Sequence, residues 1–393
     1  MKKKKLWRVG KGEIRYVKEV INSGLTGGFN KKLEEEFAKK FGVNFAIGVN
    51  SGNSALHCAL FACDVKPGDE VIVPPLTFAS PAFAAIYLGA VPVFADVDPE
   101  TFNIDPEDIK RKITKRTKAI IPVSLYGLPA DIDPIMDIAR ENNLKVVEDN
   151  AECMFGKYKG KIAGTTGDMS IFSFERSKHL TSGSGGMIIS NDEKLGEKAR
   201  KFSILGYSTL SARQDAFKTN LDVVQRPDFA RHEMVGFNYR LPEVCAAMVL
   251  AQLEKVDMLV EMRQKIAKFY DEAVKGCQWL TPQKTPEGFV NSYWTYVMKL
   301  DTDKVSWDDF RKVFIELGGE RYYGAWRVNY LEPVFKGMEF PENNIKYEKG
   351  LCPVAEELQP KLIQLKTNFG SIKYAELQAS ILKRTIERFN KNL

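Results

Sequence analysis

One amine stands out. Lys178 ends the run Gly167-Asp168-Met169-Ser170-Ile171-Phe172-Ser173-Phe174-Glu175-Arg176-Ser177-Lys178, and Gly183-Ser184-Gly185-Gly186 with the apolar Met187-Ile188-Ile189-Ser190 follows closely. The pattern predicts a short buried strand that delivers one lysine to a turn, a glycine-rich hinge, and a second buried strand. An amine flanked by apolar segments must find a counter-charge or lower its pKa, and a lysine that can be neutral is the usual Schiff-base nucleophile. Taken alone, burial favours the plainer reading in which the side chain reaches solvent. The neighbours decide. Ser51-Gly52-Asn53-Ser54 lies between a strand and a helix start, so its backbone N–H groups and the positive end of the helix dipole can bind a phosphate. A capped helix start explains the same residues equally well. Ser173 could add a hydroxyl to such a cradle. In Val146-Val147-Glu148-Asp149-Asn150-Ala151-Glu152 an acid stands directly beyond a buried strand, where open parallel sheets place ligand contacts. Asp149 could cap the strand end, or pair with a protonated ring nitrogen. A phosphate cradle, a carboxylate for a pyridinium and a Schiff-base lysine, in that chain order, are the three anchors that pyridoxal 5'-phosphate needs. Phe78, after Pro74-Pro75-Leu76-Thr77, could stack on the cofactor ring, although an aromatic after a strand more often joins the core.

Positioning these groups takes a scaffold of alternating elements. Helical spacing over residues 12–22 and 31–41 precedes a short strand at 44–49, the glycine turn, and an apolar helix over 55–63. Short strands at 70–73, 91–95, 119–123 and 145–147 then alternate with helices at 80–88, 106–112 and 132–142. Such short β-branched strands separated by helices predict an α/β domain with a mainly parallel sheet covered by helices on both faces. Residues 207–233 are polar with no period and read as a lid or partner-binding arm. Helical runs from 243 and 256, ending near Val274, link the two domains, and the remainder, with helices from 307 and 375 and a strand at 292–300, suits a smaller C-terminal α+β domain. The expected organisation is an N-terminal arm at 1–28, a large cofactor-binding domain at 29–255 and the smaller domain at 256–393.

Composition fits this frame. A chain of 393 residues with 44% hydrophobic and 27% charged residues suits a soluble two-domain protein, and no apolar run approaches the span of a bilayer. The start, with Lys2 to Lys5 before Leu6 and Trp7, lacks the apolar stretch of a signal peptide, so a cytoplasmic protein is expected. Scattered cysteines and His57, His179 and His232 form no metal-ligand spacing, so no metal site is expected. The net charge of +6 is modest, and the lysine run comes without the interleaved aromatics of a nucleic-acid module, so neither nucleic acid nor membrane is an expected partner.

From about Gly24 onward the chain resembles the sugar aminotransferases of the DegT/DnrJ/EryC1/StrS group, which are fold type I pyridoxal-phosphate enzymes. The resemblance rests on Ser51-Gly52-Asn53-Ser54-Ala55-Leu56-His57, Val71-Ile72-Val73-Pro74-Pro75-Leu76-Thr77-Phe78, Glu148-Asp149-Asn150-Ala151-Glu152, Phe172-Ser173-Phe174 with Lys178, and Gly236-Phe237-Asn238-Tyr239-Arg240. It implies Lys178 as the Schiff-base residue, Asp149 as the partner of the pyridine nitrogen, Phe78 on the ring, and Gly52, Asn53 and Ser173 around the phosphate. It also implies a homodimer with shared sites, in which Asn238 reaches the neighbouring subunit's phosphate. The implied reaction moves an amino group from glutamate or glutamine to a keto-sugar, typically nucleotide-linked, for amino-sugar biosynthesis. Departures are informative. Glu152 stands where the family often has glutamine or histidine beside the cofactor's phenolic oxygen, and Ser184 replaces a common acidic residue. One branch carries histidine at the lysine position and dehydrates deoxysugars, and His179 lies next door, so a sugar dehydratase is the first alternative. A non-catalytic cofactor-binding protein of the same fold is the second.

Overall fold

The computed structural model describes residues 7–213, 221–340, 343 and 345–391. Its strands in chain order begin with β1 (Phe45–Val49), β2 (Glu70–Val73), β3 (Val91–Phe94), β4 (Thr117–Ile120) and β5 (Lys145–Asp149). A small hairpin of β6 (Lys157–Tyr158) and β7 (Lys161–Ile162) precedes β8 (Met169–Ser173) and β9 (Gly186–Ser190). Seven of these form one sheet in the order β1-β9-β8-β5-β4-β2-β3. The pairs β2–β3, β2–β4, β4–β5 and β5–β8 are parallel, whereas β9 runs antiparallel to both β8 and β1.

Both faces of the sheet are covered, and the side-chain period shows it. Val71 and Val73 join a core with Ala55 and Leu56 of the helix Gly52–Ala62, while the intervening Ile72 joins Ile132, Ile135 and Ile138 of the helix Ile132–Glu141. Successive strand residues point to opposite faces, so a strand buried on both sides needs an unbroken apolar run. That requirement explains Val71-Ile72-Val73, each fully buried.

Beyond the long helix Val256–Val274 come β10 (Leu280–Pro282), β11 (Phe289–Val290), β12 (Thr295–Leu300), β13 (Tyr323–Gly324) and β14 (Leu362–Lys366). Four of them make an antiparallel sheet in the order β10-β12-β14-β13, with a core that joins Ile266 and Tyr270 to Phe310, Met298 and Leu382 of the final helix Ile372–Asn390. The strand β11 pairs with β6 instead, which ties this part of the chain to the large sheet's connections.

The reversal of β9 sets the position of the chemistry. Because β1 and β8 each oppose β9, they run in the same direction as β5, β4, β2 and β3. Their carboxyl ends therefore share one edge. Ser51 follows β1, Pro74 to Phe78 follow β2, Asp149 closes β5, Ser173 closes β8, and the turn carrying Lys178 bridges β8 to β9 above that edge.

Two expected boundaries move for physical reasons. The helix expected from 55 begins at Gly52, because the Ser51 hydroxyl accepts the Ser54 N–H at 3.0 Å and caps it. The strand expected to reach Val123 ends at Ile120, since Pro122 offers no N–H to a ladder, and Val123 keeps only an isolated bridge to Asp149. The 207–233 segment contains a bridge from Tyr207 to His232 and a short helix Leu221–Val224, while 214–220 lies outside the described residues, as does the Lys2–Lys5 run. No helix among the described residues is long and apolar enough to cross a membrane, and no cluster of metal-ligating side chains occurs among them.

Gly186 is where β9 crosses the turn after β1: a Cβ there would lie 2.5 Å from the Ser51 carbonyl oxygen. Backbone cannot yield as a flexible side chain does, so Gly186→Ala should cost about 1–3 kcal/mol, read as a lower urea midpoint at unchanged slope. An unchanged midpoint would show that the Ser51 turn moves freely.

Candidate active site

The Lys178 amine lies between an acid and an aromatic face. Its Nζ is 3.2 Å from Glu152 Oε1 and 4.1 Å from the centre of the Trp294 ring. Both charged side chains are largely buried, at 13% and 6% exposed, which gives their attraction more weight than a surface pair has. Glu152 is itself held, because its Oε2 accepts the Tyr126 N–H at 3.0 Å. Tyr126 adopts φ +62°, an uncommon conformation for a residue with a side chain, and the neighbouring Gly127 packs so closely on Tyr293 and Trp294 that a Cβ would sit 2.5 Å from the Tyr293 nitrogen. Trp294 is fastened to the lysine turn by its own Nε1–H, which donates to the Ser177 carbonyl at 3.1 Å.

Asp149 lies deeper. Burial pushes its carboxyl up to about 6, the Glu152 charge adds to the shift, and the Ala151 N–H bond at 3.0 Å and the Lys178 charge oppose it. It thus serves the local turn and remains a buried acid beside a buried amine. The adjacent Glu148 is used differently. Its oxygens accept N–H groups of Gly164, Thr166 and Gly167 at 2.7–3.0 Å and fold the loop before β8.

Gly52 and Ser173 meet across the same edge. A Cβ at Gly52 would approach Ser173 Cβ to 3.0 Å, so the strand end and the helix start pack closely enough that a side chain there would have to displace Ser173. Ser173 Oγ accepts the Glu175 N–H at 3.3 Å. Asn53, in the first turn of the helix, has Nδ2 3.4 Å from the Tyr87 hydroxyl, while its Oδ1 is buried without a partner. The N–H groups of this helix start, with the Asn53 Nδ2 as a further donor, suit a phosphate with its attached ring. Phe78 is 56% exposed rather than part of the core, with its ring 5.7 Å from Trp326 in an edge contact. Its loop is pinned by buried Asn329, whose Nδ2 donates to the carbonyls of Pro75 and Thr77 at 2.8 and 2.6 Å.

Lys178, Glu152 and Asp149 therefore come together, Gly52 comes to Ser173, and Phe78 stands at the mouth with Trp326. Asn238 does not join them: it is exposed, its Oδ1 accepts Arg240 Nε–H at 3.1 Å, and no contact among the described residues links it to Lys178 or Asp149. His179 turns away, buried with Nε2 3.0 Å from the Ser292 carbonyl and its pKa pressed well down by burial and by Arg263, so the amine and not the imidazole meets the acids.

The family model of the DegT/DnrJ/EryC1/StrS aminotransferases matches residues 8–383. The chain belongs to that family. It is 38% identical over 350 residues to the GDP-perosamine synthase of Escherichia coli O157:H7, spanning 88% of this chain and 87% of that one. The GDP-perosamine synthase of Caulobacter vibrioides is 40% identical over 298 residues, 75% of this chain and 76% of the relative. Among solved structures, the aminotransferase from Psychrobacter cryohalolentis superposes with a TM-score of 0.86 at 28% identity, covering 97% and 98% of the two chains. Membership accounts for the shared edge on which the motifs meet. Trp294, which supplies the lysine's aromatic neighbour, was not legible as a site residue, because nothing in its sequence surroundings separates it from a core aromatic.

The raised Asp149 carboxyl gives a pH test. A carboxylate whose folded pKa exceeds its unfolded value destabilises the fold above the folded value, and the penalty vanishes as pH falls below the unfolded one. In cofactor-free protein, Asp149→Asn should raise stability above pH 6 by up to about 3 kcal/mol, shrinking toward zero near pH 4. Thermal unfolding of both forms across this window checks the sign; a gain that is the same at pH 4 and pH 8 would contradict it.

Proposed function

We propose that this chain moves an amino group from glutamate or glutamine to a nucleotide-linked keto-sugar, with pyridoxal 5'-phosphate held on Lys178. The observation that carries the reading is the buried Lys178–Glu152 pair beside buried Asp149, at the sheet edge where the helix start at Gly52 and Asn53 meets Ser173. When bound, pyridoxal phosphate supplies the carbonyl that takes up the amino group and an electron-poor ring that draws electrons from the donor's α-carbon.

The chain's own groups do the rest. Lys178 is the only amine placed between Glu152 and Trp294 among the described residues, so it would hold the cofactor and, as a free amine, would move the proton at the donor's α-carbon. Asp149 keeps the ring nitrogen protonated; a bound cation there would offset the burial that lifts its pKa. Gly52, Asn53 and Ser173 would hold the phosphate, and Phe78, in edge contact with Trp326, would stack on the ring. Glu152, 3.2 Å away, would hold the freed amine of Lys178 within reach and balance its charge once that amine accepts the proton. A dehydratase is less well supported, since the histidine such a reading needs is the buried His179.

The GDP-perosamine synthase relatives make a GDP-linked keto-sugar the first acceptor to test. The protein is proposed to act as a homodimer in the cytoplasm, with Asn238 completing the partner's phosphate site. Support comes from the exposure of Val235, Phe237 and Asn238 and from an open groove of about 510 Å³ lined by Asn50, Ser51, Ser54, Ser184, Pro242 and Cys245.

Cofactor-loaded protein given glutamate or glutamine and a GDP-linked keto-sugar should form amino-sugar and keto acid in equal amounts. Asp149→Asn should lower turnover by roughly two to three orders of magnitude. A dehydrated sugar without amine would overturn the reading. For assembly, Lys178→Ala and Asn238→Asp chains should regain partial activity when refolded together; no recovery in confirmed hybrids would place each site within one chain.

A further inference from the structure

Two arginines with no partner acid among the described residues converge on the lysine turn. Arg8 and Arg263 are each 1% exposed, and neither pairs with a described carboxylate. Buried guanidinium groups usually have an acid partner, because desolvating an unpaired charge is costly. Here each sends donors to backbone carbonyls of one short turn, while Arg8 Nε stays unpartnered and Arg263 also reaches outside the turn. Arg8 donates through Nη1 to the Lys178 carbonyl and, at 3.1 Å, to that of His179, and through Nη2 to that of Arg176 at 2.6 Å. Arg263, from the helix Val256–Val274, reaches the Ser177 and Lys178 carbonyls through Nη2 at 3.4 Å. Its Nη1 donates to the Trp294 carbonyl at 2.7 Å and to Thr367 Oγ1 at 3.0 Å.

One guanidinium thus fixes both backbones whose side chains meet as the Lys178 amine over the Trp294 ring. The other comes from a segment 170 residues away in sequence and grips the same turn from its own side. Burial alone would be served by apolar side chains, which could not saturate these carbonyls. The charge of Glu175, held on the Ser177 N–H and hydroxyl at 2.8 and 2.6 Å, offsets part of the cost at Arg8.

We propose that Arg8 and Arg263 are positioning residues that hold the Arg176–His179 turn so that the Lys178 amine is aimed at the incoming cofactor carbonyl. Neither touches the reacting atoms. The proposal rests on the reading of Lys178 as the cofactor-binding amine and goes beyond it by naming what aims that amine.

The test separates aim from binding. When the cofactor-free protein meets pyridoxal phosphate, the amine nitrogen bonds to the aldehyde carbon, and the aldehyde oxygen leaves as water with two protons from the amine. Pyridoxamine phosphate has the same ring and phosphate but no aldehyde, so it reports the cradle alone. Arg8→Met and Arg263→Met should each slow capture of pyridoxal phosphate, followed by absorbance, about tenfold or more while leaving pyridoxamine phosphate affinity within roughly threefold. Arg8→Lys keeps the charge but cannot span the carbonyls, so it should fall between the wild type and Arg8→Met. It also serves if the methionine variant does not fold. Capture at the wild-type rate in folded variants, or equal losses for both compounds, would overturn the proposal. No capture by the wild type would overturn the reading of Lys178, and the proposal with it.

Discussion

The site depends on one reversed strand. β9 runs against both neighbours, and this lets the chain leave β8, expose a turn above the carboxyl edge, and re-enter the sheet beside β1 without a crossover. A parallel β9 would have needed a crossover, usually a helix, to carry the chain back to the opposite edge of the sheet before it began. The antiparallel return starts at the carboxyl edge of β8, which keeps the connecting residues 174–185, Lys178 among them, at that edge. Its cost falls on Gly186, where the returning strand crosses the Ser51 carbonyl at a distance that leaves no room for a side chain.

Around that turn the structure concentrates charge in a poorly solvated place. Lys178, Glu152, Asp149, Arg8 and Arg263 are all largely buried, and the acids alone do not bond to every cation. Backbone carbonyls take up the guanidinium donors, Glu152 takes the amine, and Asp149 is left with its carboxyl lifted by burial. A cation placed beside Asp149 would relieve that burial cost. Glu152 fits this picture, because its acid gives Lys178 a fixed partner at 3.2 Å.

Much of the fold was legible because its strands obey simple periods: Val71-Ile72-Val73 and Val146-Val147 can only suit a sheet covered on both faces. The glycine turn after β1, the acid after β5 and the lysine after β8 were legible for the same reason, since each follows directly from a strand end. Short pairings such as β6 with β11 were not, because two-residue strands carry no period. Arg8, Arg263 and Trp294 stayed hidden as well. Their importance comes from contacts across more than 80 residues of sequence, and a lone arginine on an amphipathic helix ordinarily reaches solvent.

If Lys178 is the amine that captures the cofactor, reduction should fix the two together. Borohydride treatment of pyridoxal-phosphate-loaded protein, followed by mass analysis of its peptides, tests this most directly. One reduced adduct is expected, on the peptide containing Lys178. An adduct on another lysine, or none in protein shown to hold the cofactor, would contradict the assignment.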